Sequence, residues 1–191
     1  MKACACEDDS LELRTARLLL RELEKADIAT LAHYTLDPLY QRYEPPLEPS
    51  VWHEILRWRG QQPREHYYLV LARHDAPAQA LGCIYLSVRS WSDQQAEIGY
   101  MLGVAHWNQG YMTEAALALL NFGFAELKMH RIYAANIIAQ NTGSRRVALK
   151  CGMRLEARFR ESIYHNERWW DGLTYAILAE EWAAFRGQPP D

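Results

Sequence analysis

No run of apolar residues in this 191-residue chain approaches the roughly 20 needed to cross a bilayer, so no membrane-spanning helix is expected. The opening segment, MKACACEDDS, lacks the apolar stretch of a secretory signal and turns acidic at once, and a cytoplasmic protein is expected. There is no block of Lys and Arg. The 21 basic residues are outnumbered by 24 acidic ones, so neither nucleic acid nor a membrane is an expected partner. Cysteine is sparse: Cys4, Cys6, Cys83 and Cys151, of which only the first two are close. That C-x-C has no second Cys/His pair at ligand spacing, so reduced thiols and no metal are expected. Two phosphate-binding signatures are missing as well, G-x-x-x-x-G-K-[ST] and G-x-G-x-x-G, which excludes a P-loop and a dinucleotide fingerprint.

What is present fits one two-layer domain, expected over residues 14–185, with a flexible segment at 1–13 and a tail at 186–191. RLLLREL (17–23) has the composition of an opening strand, and KADIATLAHYTL has the spacing of a helix. The prolines of DPLYQRYEPPLEPS predict a loop, and Ser50 is the expected N-cap of the helix VWHEILRWRG. HYYLVLAR, ALGCIYLSV and AEIGYML predict three strands; the last puts Glu97, Gly99 and Met101 on one face. A helix is predicted from about Thr113 to Lys128, burying Ala116, Leu117, Leu120, Phe124 and Leu127. A strand (RIYAANIIA), a short helix closed by Gly152, two strands and a terminal helix complete a mixed sheet with helices on both faces.

The strand AEIGYML, the polar turn around Gly110 and the following helix form an anion-binding arrangement. Free N–H groups in a first helical turn and the positive end of the helix dipole favour phosphate, and a residue without Cβ allows close approach. A tight turn capped by Asn108 or Thr113 is the plainer alternative. Arg145 and Arg146 follow Ser144 in the first turn of another helix. That end disfavours cations by about 0.3–1 kcal/mol each, a cost a nearby anion would offset.

The blocks AEIGYMLGVAHWNQGYMTEAAL and NTGSRRVALKCGMRLEA, in that order, resemble the GNAT superfamily of acetyl-CoA-dependent N-acetyltransferases. Within it they resemble the RimJ/RimL-type branch, which includes enzymes that acetylate ribosomal-protein N-termini, and the likeness spans about residues 14–183. The resemblance implies an α/β (mixed α+β) GNAT fold, with a mostly antiparallel seven-stranded sheet flanked by helices on both faces. It implies acetyl-CoA as cosubstrate, no metal, and a monomer or homodimer. Direct transfer in a ternary complex to an amine is implied, the acceptor being either a protein or peptide N-terminus or a small molecule. The CoA pyrophosphate loop would be Trp107, Asn108, Gln109, Gly110, Tyr111 and Met112, continued by Thr113. Trp107 replaces the usual Gln or Arg, and Met112 replaces a small residue. Backbone groups near Met101 and Leu102 would meet the pantetheine arm, with Asn141, Ser144 and Arg146 also on the cofactor.

Acetyl transfer needs a neutral amine, a polarised thioester and a proton for the leaving thiolate. Glu97 and Glu161 both match positions of carboxylate bases in the superfamily; a strand glutamate paired with Arg or Lys is the alternative for Glu97. The tyrosine that commonly protonates the thiolate is replaced by Ala148, which leaves Ser144 as donor, as N-cap, or as both. That replacement keeps open a second function, a CoA-binding sensor or partner protein without turnover. Tyr43, in the proline-rich loop expected to roof the acceptor site, and Tyr164 are candidate acceptor contacts. His106 and His165 have no stated partner, and Trp169 and Trp170 are expected to pack the final hairpin.

Overall fold

Period-two alternation in the strands sorts apolar residues onto two faces of one sheet, and each face carries its own core. In the computed structural model, which describes residues 10–187, eight strands form that sheet in the order β1-β2-β3-β4-β5-β6-β8-β7. They are β1 (Leu13–Arg14), β2 (Leu18–Glu22), β3 (His66–Arg73), β4 (Gly82–Ser90), β5 (Gln95–Leu102), β6 (Arg131–Ile138), β7 (Arg154–His165) and β8 (Arg168–Leu178). The extra strand over the seven expected is β1, a two-residue edge paired to β2. All pairings are antiparallel except β5 with β6. Cys4, Cys6 and the expected frayed ends fall outside the described residues for the most part; Cys83 and Cys151 are buried free thiols.

The helices are α1 (Ile28–Thr35), α2 (Pro38–Gln41), α3 (Pro49–Trp58), α4 (Tyr111–Ala125), α5 (Thr142–Lys150) and α6 (Ala179–Arg186). Ile84, Leu86 and Ile98 face the larger core with α4, while Val70, Cys83 and Met101 face a smaller one with α1 and α3. Three expectations are corrected. The proline-rich segment contains α2, started by the Asp37 side chain accepting from the Leu39 N–H at 2.8 Å. Glu48, not Ser50, is the N-cap of α3, because Pro49 suits the first helical position. Helix α4 starts two residues earlier than expected, directly after Gly110. Its buried face is Met112, Ala115, Ala116, Leu119, Leu120 and Gly123, with Leu117 and Phe124 only flanking it.

At about 1.5–3 kcal/mol for each large apolar side chain buried, the Met112, Leu119 and Leu120 contacts fix α4 against the sheet. The first turn of α4 is therefore anchored to the core through Met112.

Candidate active site

Strands β5 and β6 pair only at their starts, where Gln95, Ala96 and Glu97 lie opposite Arg131, Ile132 and Tyr133. Beyond that point they diverge. β6 leaves the common direction through a bulge between Ala134 and Ile137, with Asn136 at φ +56° inside it. The gap opens a cavity of about 370 Å³ lined from both faces of the sheet. Tyr100, Ile98 and Ser144 line it on the α4/α5 side, and Tyr40, Glu44, Trp52, Tyr68, Tyr85 and Glu97 on the α1/α3 side.

Glu97 Oε2 accepts from Arg89 Nε at 2.9 Å and Nη2 at 2.7 Å, so the paired-glutamate alternative describes its contacts. Gly99 does not leave open space; Tyr85 fills it, and a Cβ at 99 would stand 2.3 Å from the Tyr85 hydroxyl. Burial holds the protons on Tyr40, Tyr68 and Tyr100 by raising their phenols, and pushes Tyr85 and Cys83 up to about 12. The Trp52 indole N–H is buried and finds no acceptor among the described residues.

Ser144 sits at the inner end. Its Oγ lies 3.1 Å from the Tyr100 hydroxyl, which also donates to the Ser144 carbonyl at 3.1 Å. Ser144 is not the helix cap: Asn141 is, its Oδ1 accepting from the Ser144 N–H at 3.1 Å. Ala148 is buried in the main core. The two arginines of this helix part company. Arg145 donates to the Ala139 carbonyl at 3.0 Å, whereas Arg146 is exposed.

The Gly110 loop follows the end of β5. Asn108 and Gly110 are both left-handed, at φ +60° and +79°, and Gly110 is the residue before α4. Glu114 is the first α4 residue whose N–H is taken among the described residues, by the Gly110 carbonyl at 3.1 Å; the N–H groups of Tyr111, Met112 and Thr113 have no partner among them and can meet an anion. The Met112 side chain is buried in the core, so it does not crowd those N–H groups. Two further contacts clamp the loop. Trp107 Nε1 donates to the Leu102 carbonyl at 2.8 Å. Arg17 Nη1 donates to the Gln109 carbonyl at 3.0 Å while its Nε pairs with Glu114 at 2.6 Å.

A divergent strand pair followed by this clamped anion loop is matched by comparison with known proteins. A family model described as an acetyltransferase (GNAT) domain matches residues 17–154. The chain belongs to the GNAT acetyltransferase family. It is of the RimJ/RimL type. A Bacillus subtilis relative, the uncharacterized N-acetyltransferase YnaD, is 34% identical over 175 residues, covering 90% of this chain and 99% of its own. A GNAT-family acetyltransferase structure from Bacillus anthracis is 31% identical with a TM-score of 0.74, covering 89% of this chain and 99% of that one. Mycobacterium smegmatis RimJ in complex with CoA-disulfide shares the fold at a TM-score of 0.75 and 23% identity, covering 90% and 88%.

In this GNAT domain the residues singled out from sequence are divided among several places: Leu102 ends β5, Asn141 caps α5 and Arg146 is exposed on that helix. Glu97, Met101 and Ser144 line the cavity. Trp107 to Gly110 form the loop before α4, and Tyr111 to Thr113 are its first turn. Glu161, Tyr43 and Tyr164 are not among the cavity's lining residues. Glu161 lies exposed at a bulge of β7 with φ +50°, its N–H donating to Asp171 Oδ1 at 2.9 Å. Tyr164 is exposed against Trp169 at the hairpin tip, where Trp170 is buried. His165 Nε2–H and the Asn166 side-chain amide both donate to the Gln41 carbonyl, at 2.8 and 2.9 Å, tying that hairpin to α2. Glu44, Tyr40, Tyr68, Tyr85, Tyr100 and Arg17 were missed. The tyrosines have the pattern of core residues, and Arg17 is 92 residues from Gln109, its partner.

Proposed function

We propose that this GNAT enzyme transfers the acetyl group of acetyl-CoA directly to a primary amine within a ternary complex, and that the preferred amine carries one positive charge on an apolar body. The observation carrying this reading is the cavity that runs between β5 and β6 with lining residues from both faces. It lets a thioester reach from the Gly110 loop side and an amine from the α1/α3 side.

Acetyl-CoA would be held through its pyrophosphate by the N–H groups of residues 111 to 113, with Asn108, Gln109 and Gly110 shaping the approach. The β5 edge past Glu97 has no partner in β6, so its backbone N–H groups on that side are available to the pantetheine near Met101 and to the oxyanion. Ser144, backed by the protonated Tyr100 phenol, would return a proton to the thiolate. The one thiol lining the cavity, Cys83, is kept protonated by burial, which argues against an acetyl-cysteine intermediate and for direct transfer.

The walls also bear on the acceptor. Tyr40, Trp52, Tyr68 and Tyr85 are aromatic, and of the two lining carboxylates Glu97 already holds a cation, Arg89. One ammonium can be balanced, whereas a second would lose water without a partner. An amine panel with CoA release as the readout tests this. Phenethylamine is expected to exceed spermidine in kcat/KM by about tenfold or more, equivalent to ~1.4 kcal/mol. Equal or better use of spermidine would refute the acceptor class, and tight CoA binding with no transfer to any amine or peptide would favour a CoA sensor.

A further inference from the structure

Glu44 is the one lining carboxylate to which, among the described residues, no N–H, O–H or cation is bound. It stands in the segment after α2, its own N–H donating to the Tyr40 carbonyl at 3.3 Å. That segment is pinned at both ends. Gln41 is gripped by His165 and Asn166 of the hairpin tip, and the Leu47 N–H donates to the buried Thr35 Oγ1 at 3.2 Å. A glutamate in an otherwise irregular loop is thus held over the cavity by three separate parts of the fold.

Resting on the reading of the chain as an amine acetyltransferase, we propose that Glu44 is the catalytic base, receiving the acceptor ammonium at the α1/α3 mouth of the cavity and taking its proton. R–NH3+ gives one proton to the Glu44 carboxylate, directly or through one water. The neutral nitrogen attacks the thioester carbonyl, forming the C–N bond and breaking the C–S bond. The nitrogen's surplus proton goes to the thiolate on the Ser144 side, giving CoA–SH and the amide. Glu44 itself is solvent-accessible, so its proton passes to bulk water and the base is regenerated.

The environment suits that task. The surrounding protein withdraws enough water from the Glu44 carboxyl to push it up to about 7, although the residue keeps a solvent-facing side. A base poised there is about half ionised at neutral pH and takes a proton readily. Around it, Tyr40 and Tyr68 are raised far out of range, Tyr85 and Cys83 are pushed up to about 12, and Tyr100 at the far end is raised too. Glu97 is engaged by Arg89 from the sheet side, and His165 by Gln41. Glu44 is therefore the group expected to shape the rate near pH 7. Because the ionised carboxylate is the active form, the rate is lost as pH falls through that value.

The test is Glu44→Gln, which keeps the side-chain shape, assayed with phenethylamine and acetyl-CoA from about pH 5.5 to 9. The wild type is expected to gain activity through about pH 7 and then level. The variant is expected to lose about 100-fold or more in kcat/KM and to lose that acidic limb, with acetyl-CoA affinity unchanged. Glu44→Asp should keep the limb with a smaller loss. A Glu44→Gln enzyme within about twofold of wild type with the limb intact would overturn the proposal, as would one that no longer binds acetyl-CoA. A wild type that acetylates no amine would instead overturn the reading beneath it, and this proposal with it.

Discussion

Gly110→Val is expected to weaken acetyl-CoA binding by about 10- to 100-fold while lowering the thermal midpoint by only a few degrees. Gly110 holds φ +79°, a conformation that costs an ordinary L-residue roughly 1–2 kcal/mol and a β-branched one more. A Cβ there would also come within 3.3 Å of Arg17 Nη2. Arg17 has little freedom to yield, since Glu114 takes both its backbone N–H and its Nε, and the Gln109 carbonyl takes Nη1. The loop must therefore turn out of its left-handed conformation and re-aim the N–H groups that would hold the pyrophosphate. Losing one hydrogen bond to a charged group, at about 1.5–3 kcal/mol, gives the predicted range. Calorimetric titration with acetyl-CoA measures it. Unchanged affinity would mean that the phosphates bind elsewhere.

Gly99→Val should abolish transfer, with kcat/KM falling more than about 100-fold while acetyl-CoA binding changes only slightly. The added Cβ would stand 2.3 Å from the Tyr85 hydroxyl, and Gly99 and Tyr85 are direct partners across β4 and β5. Tyr85 is stacked on Tyr68 at 4.8 Å, so its ring cannot retreat along β3. Either the ring swings into the cavity or β5 moves off β4. A displacement of about 1 Å at the reacting centre already costs on the order of 100-fold. Steady-state kinetics beside binding measurements separate the two effects, and adding Tyr85→Ala should return part of the lost activity. Full activity in Gly99→Val alone would contradict the assignment of the amine to this face of the sheet.

The strands and main helices were legible because alternation and helical spacing respond to the same burial that builds the two cores. The Gly110 loop was legible because a left-handed residue before a helix leaves a mark in sequence, a glycine. Boundaries were less so. Helix α4 begins at Tyr111, and its buried face centres on Met112, Ala115 and Leu119, since packing against the sheet rather than side-chain type alone sets its rotation. Met112 departs from the small residue usual there, yet it points into the core, where its length is an advantage. Glu44 left no signal. It follows a four-residue helix among prolines, and its importance comes from strands β3, β4 and β5 meeting it across the cavity. Ser144 was expected to cap α5, but the cap is Asn141, because the helix starts at Thr142, which only the backbone shows.

The most direct test of the account is an initial-velocity matrix, with acetyl-CoA and phenethylamine varied together and acetylated amine quantified. Amine and thioester meeting through the β5/β6 gap predicts intersecting double-reciprocal lines, with one CoA released for each amide formed. Parallel lines would reveal a covalent acetyl-enzyme. That result would contradict the central claim, and so would CoA binding with no amide at all.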